Sequence, residues 1–536
     1  MRLRSLALVL LLCACKPADP KDPNTWIKRL SDSDPRERQQ AVRELRKLKA
    51  KEAAPQVAQL LKDLVVREEA ASALRDIGTP SEVPALLDAV DTTVGAGSDT
   101  ATRAANRTNA RIAEALGEIG DASAGPTLLR LARSKDDLVR LEAVQALGEV
   151  KFKGAIAELS LLIDDQAAPP LLVKKAIVAL GDIADPTGIP ALQHALVLER
   201  QGVNFLPEAS YALFQLGAAA VEPMIRVARD EDPAYVKWAH DNNRPPAGTY
   251  AKAALVLGDL ADARAIPVLL EKLRYRDPDP LPGTARLLTN LVRQFAANAL
   301  GRLRARDAAG PILAFVQTRD PQDVDLVSFS SEALVWIGDR AIAKEMLRRA
   351  ELGDVRLRMI VAQGAALLGD ESVLRQFESL AARARKAPEA QCTRELDQLQ
   401  YAESRDKPCE AVAAQFDGLA TAVQAVRTCK DAAPCWLDKL KDSEPLIRAR
   451  AAYELGRHGA GEAVPALVQA ASDQDVVARV AAIRALEWLI AVPAAQPRLK
   501  EAANKLAAQL AAEQGREQFI RVNEELRRLQ ARLAHL

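Results

Sequence analysis

Aromatic side chains make up only 4% of this 536-residue chain, although 49% of it is hydrophobic. Ala and Leu carry the apolar content instead of the Val and aromatic runs from which sheets are built, so a large β core is excluded and closely packed helices are expected. A basic excess is also missing. Lys and Arg total 73 against 72 Asp and Glu, which excludes the electrostatic footprint of a nucleic-acid binder. Histidine occurs four times, as His194-Ala195, His240-Asp241, His458-Gly459 and His535-Leu536. No His is followed by Glu, and no spacing gathers three or four nitrogen or oxygen ligands, so no metal site, cofactor or catalytic residue is assigned. The chain also lacks a phosphate-cradling glycine loop, a Gly-x-Ser-x-Gly elbow and a His-Glu-x-x-His pair. Its apolar run at the N-terminus, Ser5 to Leu12, is far shorter than the roughly 20 residues that span a bilayer.

That run does have a use. It follows Met1-Arg2-Leu3-Arg4 and reads as a secretory signal. It ends in Leu12-Cys13-Ala14-Cys15, which resembles a bacterial lipobox. The resemblance implies cleavage before Cys15 and acylation of Cys15, so residues 1–14 are read as a signal peptide. Loss of Arg2 and Arg4 takes two charges from the formal +1 and leaves −1. Residues 15–25, with Pro17, Pro20 and Pro23, follow as a stiff tether. Lys16 after the Cys implies, by the same resemblance, the outer membrane. The expected location is thus the bacterial cell envelope, with the chain facing the periplasm or the cell surface.

From Trp26 onward one pattern recurs: a helix ending in Leu-Gly-x-Ile/Leu, a tight turn, then a Pro that opens a second helix. Ala115-Leu116-Gly117-Glu118-Ile119 and Ala299-Leu300-Gly301-Arg302-Leu303 are examples. Thirteen anchor positions run from Leu45 through Leu116, Leu147, Leu257, Leu300 and Ile337 to Leu486. The shortest spacings are about 30 residues, the signature of a solenoid. Pro84, Pro126, Pro190, Pro267 and Pro465 each fall ten residues after an anchor, in a first turn where the missing N–H costs nothing. The pattern resembles HEAT repeats of the phycobilisome-lyase subclass. The expected fold is all-α, a right-handed α-solenoid of about thirteen HEAT-type helix pairs with a helical insertion and a C-terminal helix. The array is read as 26–374 and 421–492, separated by a Cys-containing insertion over 375–420.

Four long links, near 91–109, 230–250, 274–290 and 317–330, share one slot of the repeat, which predicts a decorated edge. The richest carries Tyr235, Trp238, His240 and Arg244, residue types that anchor interfaces. They are the candidate partner-binding residues, and their structural alternative is packing back over a helix end. Recurrent Arg140, Arg356, Arg448 and Arg479 are read as an Asp/Arg ladder that satisfies helix ends.

Export makes disulfides of the four remaining cysteines. Aligning residues 422–429 with 143–150 puts Cys429 at the end of a first helix and Cys435 at the start of a second, facing each other across the turn. Cys392 and Cys409 then pair within the insertion. A four-Cys zinc site is the rival, but its ligands usually come as Cys-x-x-Cys, and these gaps are wider.

Residues 493–536 contain Phe519, Val522, Leu526, Leu529, Leu533 and Leu536 at heptad spacing, which predicts a helix that caps the last repeat or serves self-association. The functional expectation is a lipid-anchored envelope scaffold that binds a protein partner through a HEAT-repeat surface, with no nucleic acid and no enzymatic activity. The alternative is an enzyme of the HEAT-type lyase or hydroxylase (oxidoreductase) group. The deoxyhypusine hydroxylases resemble the chain in fold but use His-Glu pairs that it lacks.

Overall fold

The computed structural model describes residues 19–91, 99–278, 283–318, 320–350, 354–399, 406–513 and 520–534. Cys15, Phe519 and Leu536 lie outside them. The chain divides into two compact units, Met1–Gly188 and Ile189–Leu536. Each is built from antiparallel helix pairs. The first helices and the single edge and C-terminal helices are labelled here in chain order.

In unit 1 the first helices are α1 (Pro35–Lys47), α2 (Arg67–Ile77), α3 (Thr100–Ile119), α4 (Asp137–Glu149) and α5 (Pro170–Ile183). Asp34, Asp99 and Asp136 cap α1, α3 and α4 by accepting N–H bonds in the first turn, the role short acidic side chains fill at helix starts. Pro84 and Pro126 lie in the first turn of their second helices. The Leu-Gly signature has a packing cause. A Cβ on Gly148 would lie 2.6 Å from Ala179 Cα of α5, and one on Gly117 would lie 3.0 Å from Ala146 Cα of α4. Only glycine lets these backbones approach so closely.

Unit 2 continues with α6 (Leu206–Gln215), α7 (Pro233–Asp241), α8 (Pro246–Leu260), α9 (Ala285–Arg302), α10 (Val324–Ile337) and α11 (Val355–Leu368). Then come α12 (Pro408–Cys429), α13 (Pro445–Arg457), α14 (Val476–Ile490) and α15 (Ile520–Ala534). One two-residue hairpin, Glu199–Arg200 with Val203–Asn204, turns at Gln201 and Gly202, both at positive φ. It is the only strand pair among the described residues.

Three expectations are corrected by the packing. The Leu-Gly register places Gly301 against Ala333, 2.7 Å from its Cα, so Leu334, not Ile337, is the anchor of α10. The helices α3, α9 and α10 start inside the links at 91–109, 274–290 and 317–330, at Thr100, Ala285 and Val324. Residues 493–536 form two helices, Gln496–Glu513 and α15, rather than one.

Candidate protein-interaction site

The link carrying Tyr235 and Trp238 folds as α7, capped by Asp232, which accepts from the Tyr235 N–H at 3.1 Å. Tyr235 is buried, its hydroxyl 3.2 Å from Thr249 Oγ1. Burial pushes its pKa up to about 12. Trp238 is half-buried and stacks on His194, ring centroids 3.7 Å apart and planes 1° from parallel. His240 is exposed beside Asp241 at 3.5 Å, and Arg244 is half-buried. α7 therefore turns its two large aromatics toward its own unit and leaves His240 outward. Among the described residues no three His, Cys, Asp or Glu side chains converge as metal ligands would.

The cysteines come together as Cys392–Cys409, Cα atoms 5.0 Å apart, and Cys429–Cys435, 5.3 Å apart. The second pair closes the turn after α12, and Trp436 beside it donates to Lys430 O at 2.8 Å. α12 itself runs unbroken through residue 420, where the insertion was expected to end. The arginine ladder takes a definite form. Arg448 pairs with Asp473 at 2.7 Å and donates to Asp442 O and Ser443 O. Arg479 does the same to Asp473 O and Gln474 O, and Arg38 to Asp32 O and Ser33 O. Arg140 and Arg356 only reach acidic residues just ahead of them, Asp137 and Asp354.

Sequence reasoning missed the seat of α15. Val522, Leu526, Leu529 and Leu533 are buried as the heptad spacing implies. However, the helix does not only cover the last repeat. It packs on α14 and reaches back to α6, α8 and α9. Arg528 Nε lies 2.9 Å from Asp259 of α8, and its Nη2 donates to Ser210 of α6 at 3.2 Å. Glu525 pairs with Arg302 of α9, and accepts from Arg484 of α14 at 3.2 Å. Arg302 also meets Asp259 at 3.1 Å. All five side chains are at most 8% exposed. Burial works against the Arg302 charge, but Glu525, Asp259 and Glu487 outweigh it and hold its pKa above the ordinary arginine value. Desolvating so many charges is tolerated only because each faces an opposite one.

Asp259 and Arg302 each stand two residues beyond their anchor leucine. So does Trp336 of α10, which is fully buried with Arg484 4.2 Å over its ring. Two positions of this register, Asp259 and Arg302, thus meet α15 in unit 2. In unit 1 the same register reads Lys47, Asp76, Glu118, Glu149 and Asp182. Asp76, Glu118 and Glu149 are exposed. Arg75, Glu114, Glu118, Glu142, Gln145 and Glu149 line a 220 Å³ recess between α2, α3 and α4. Burial, then the charge of Glu114, raises the Glu142 pKa. Part of this acidity is balanced locally, by Arg46 on Asp76 and by Arg111 on Glu114 at 2.5 Å.

Comparison with known proteins finds HEAT repeats at residues 23–105, 98–172, 130–200 and 433–515, and a PBS lyase HEAT-like repeat at 250–275. Among solved structures, yeast importin-β (Kap95p) aligns over 95% of this chain and 76% of its own, at 12% identity and a TM-score of 0.41. Human deoxyhypusine hydroxylase in complex with glycerol aligns over 55% of this chain and 98% of its own, at 19% identity and a TM-score of 0.21. The complex of CpcE and CpcF of phycocyanin lyase from Nostoc aligns over 61% and 100%, at 17% identity and a TM-score of 0.23. No characterised protein sequence matches the chain.

Proposed function

We propose, from the HEAT repeats this chain carries, that it is a binding scaffold rather than an enzyme, anchored in a bacterial envelope through acylated Cys15. Its partner is a protein that lays a basic helix along the first-helix face of unit 1. The observation that supports this reading is α15. In unit 2 the register two residues beyond the anchors already accepts a helix, matched to it by apolar side chains and by opposite charges. In unit 1 that register holds Lys47 and then a row of four acidic residues, three of them exposed, and this row selects Lys- or Arg-bearing helices over acidic ones. The helix α7 and the turn after it offer a separate contact, through His240, Arg244 and the half-buried Trp238, with Tyr235 as its buried support.

Photo-crosslinking residues placed at 118, 149 and, as a control, at the exposed Leu161 of a second helix test the face in intact cells. One protein is expected from positions 118 and 149 and not from 161. Its capture should fall with Glu118→Lys plus Glu149→Lys, and with salt in detergent extracts. Equal capture from 161, or capture indifferent to charge reversal, would refute the assignment. Stoichiometric iron in the purified protein would favour the hydroxylase alternative.

A further inference from the structure

Cations buried in unit 2 are matched by carboxylates: Arg302 by Asp259 and Glu525, and Arg450 by Glu454. Arg244 and Lys252 depart from this. Both are half-buried, and among the described residues neither side chain is hydrogen-bonded or held in an ion pair. The Arg244 Nε is shut away from solvent without an acceptor. Burial, then the charge of Arg244, holds the Lys252 ammonium below its ordinary pKa, and Glu199, exposed on the hairpin, offsets this only in part. Two cations thus share one region with no counter-charge in contact, which costs free energy until an anion joins them.

The neighbouring backbone supplies further donors. Arg244 sits in the turn between α7 and α8, its own N–H bonded to Ala239 O at 2.8 Å. Lys252 lies one helical turn beyond Gly248, on the same face of α8. Pro245 and Pro246 open α8 without a side-chain cap, and the N–H groups of Ala247 and Gly248 find no acceptor among the described residues. A Cβ on Gly248 would meet nothing within 4 Å, so there is room beside these donors. The guanidinium can hold two oxygens at once, and the ammonium adds a compact charge. A carboxylate would balance only one of the two cations, whereas a phosphate group carries close to two charges and an additional oxygen. We propose that Arg244 and Lys252, with the first turn of α8, bind a phosphate group, free or as a small monoester. The two uncompensated cations define the site, and the helix start adds donors to it. The site needs no protein partner.

Calorimetric titration of the full chain with inorganic phosphate, at neutral pH and constant ionic strength, tests it, with methyl phosphate and acetate for comparison. Phosphate should bind at about 1 mM or tighter, and acetate at least about ten-fold more weakly. Tighter binding of methyl phosphate than of phosphate would assign the site to monoesters, and the reverse to the free ion. Lys252→Met and Arg244→Gln should each lower phosphate affinity at least about ten-fold. Lys237→Met, which removes an exposed lysine paired with Asp241 on α7, should leave it unchanged. In phosphate-free buffer Lys252→Met should melt no lower than the wild type, because it removes a desolvated charge without a partner. Phosphate should then raise the melting temperature of the wild type and not of this variant. Absence of binding up to about 10 mM, acetate equal to phosphate, affinity unchanged in Lys252→Met or Arg244→Gln, or a lower melting temperature of Lys252→Met without phosphate would each overturn the proposal.

Discussion

Glu454 shows how much one side chain can carry. It is fully buried on α13 between Arg450 at 2.9 Å, Arg457 at 2.8 Å and Arg340 at 2.6 Å, with His458 at 3.3 Å. Arg450, itself fully buried, spends its remaining donors on Ala366 O and Gly369 O at the end of α11. One carboxylate thus bridges the charged joint between α13 and the α10–α11 repeat. Burial alone would raise its pKa, but the three arginines and the His458 hydrogen bond outweigh burial and hold it well below the usual range. Glu454→Gln would leave Arg450 and Arg457 buried without a counter-charge, at a cost of about 3–5 kcal/mol at pH 7. A depressed folded-state pKa means that the stabilisation is complete above the unperturbed value of 4.5 and is lost as pH falls through the folded value. Urea unfolding should therefore show a constant gap between wild type and variant from pH 7 to about 5, narrowing in more acid buffer. A gap that widened on acidification would contradict the ionised carboxylate.

Much at the level of helices was legible in the sequence, because it rests on local rules. Leucine-glycine marks where neighbouring first helices touch, as Gly258 on Ala299 and Gly456 on Ala485 repeat, 2.9 and 2.8 Å from the Cα atoms. Proline marks the second helix and aspartate the cap. Where two registers compete locally the reading slipped by a turn: Ile337-Gly338 imitates the signature, yet Gly338 is the left-handed cap that ends α10. Contacts across long sequence distances had no such signal. Arg302 and Glu525 are 223 residues apart, and nothing in a heptad of leucines says which concavity it fills. The charge match can be tested as a coupling. Arg528→Met should cost about 3–5 kcal/mol by leaving Asp259 under-compensated, and Asp259→Asn a comparable amount. The double variant should cost distinctly less than the two together, since neither leaves the other's charge unpaired. Strict additivity in urea unfolding would show that α15 is held by its leucines alone.

For the whole molecule, the relation of the fold to its proposed anchor follows from how early the first described helix begins. The tether was expected to run to residue 25. The first helix instead begins at Pro23, and buried Trp26 donates its indole N–H to Pro20 O at 2.9 Å. Cys15 stands five residues before Pro20. Five residues reach at most about 17–18 Å even when fully extended, so an acylated Cys15 would keep Pro20 within about that distance of the headgroups. Acyl chains supply about 0.8 kcal/mol per buried methylene, and stable residence needs at least two of them. A Cys15→Ala variant should therefore leave the membrane fraction while keeping an unchanged unfolding curve, because among the described residues the Trp26–Pro20 hydrogen bond and the contacts after it lie beyond the substitution. Mass spectrometry of the wild-type N-terminal peptide should find a blocked, acylated cysteine. A mature terminus elsewhere, or an unmodified Cys15 in a membrane-bound protein, would remove the anchor. The acidic row of unit 1 would then have to find its partner by diffusion in three dimensions rather than at the membrane surface.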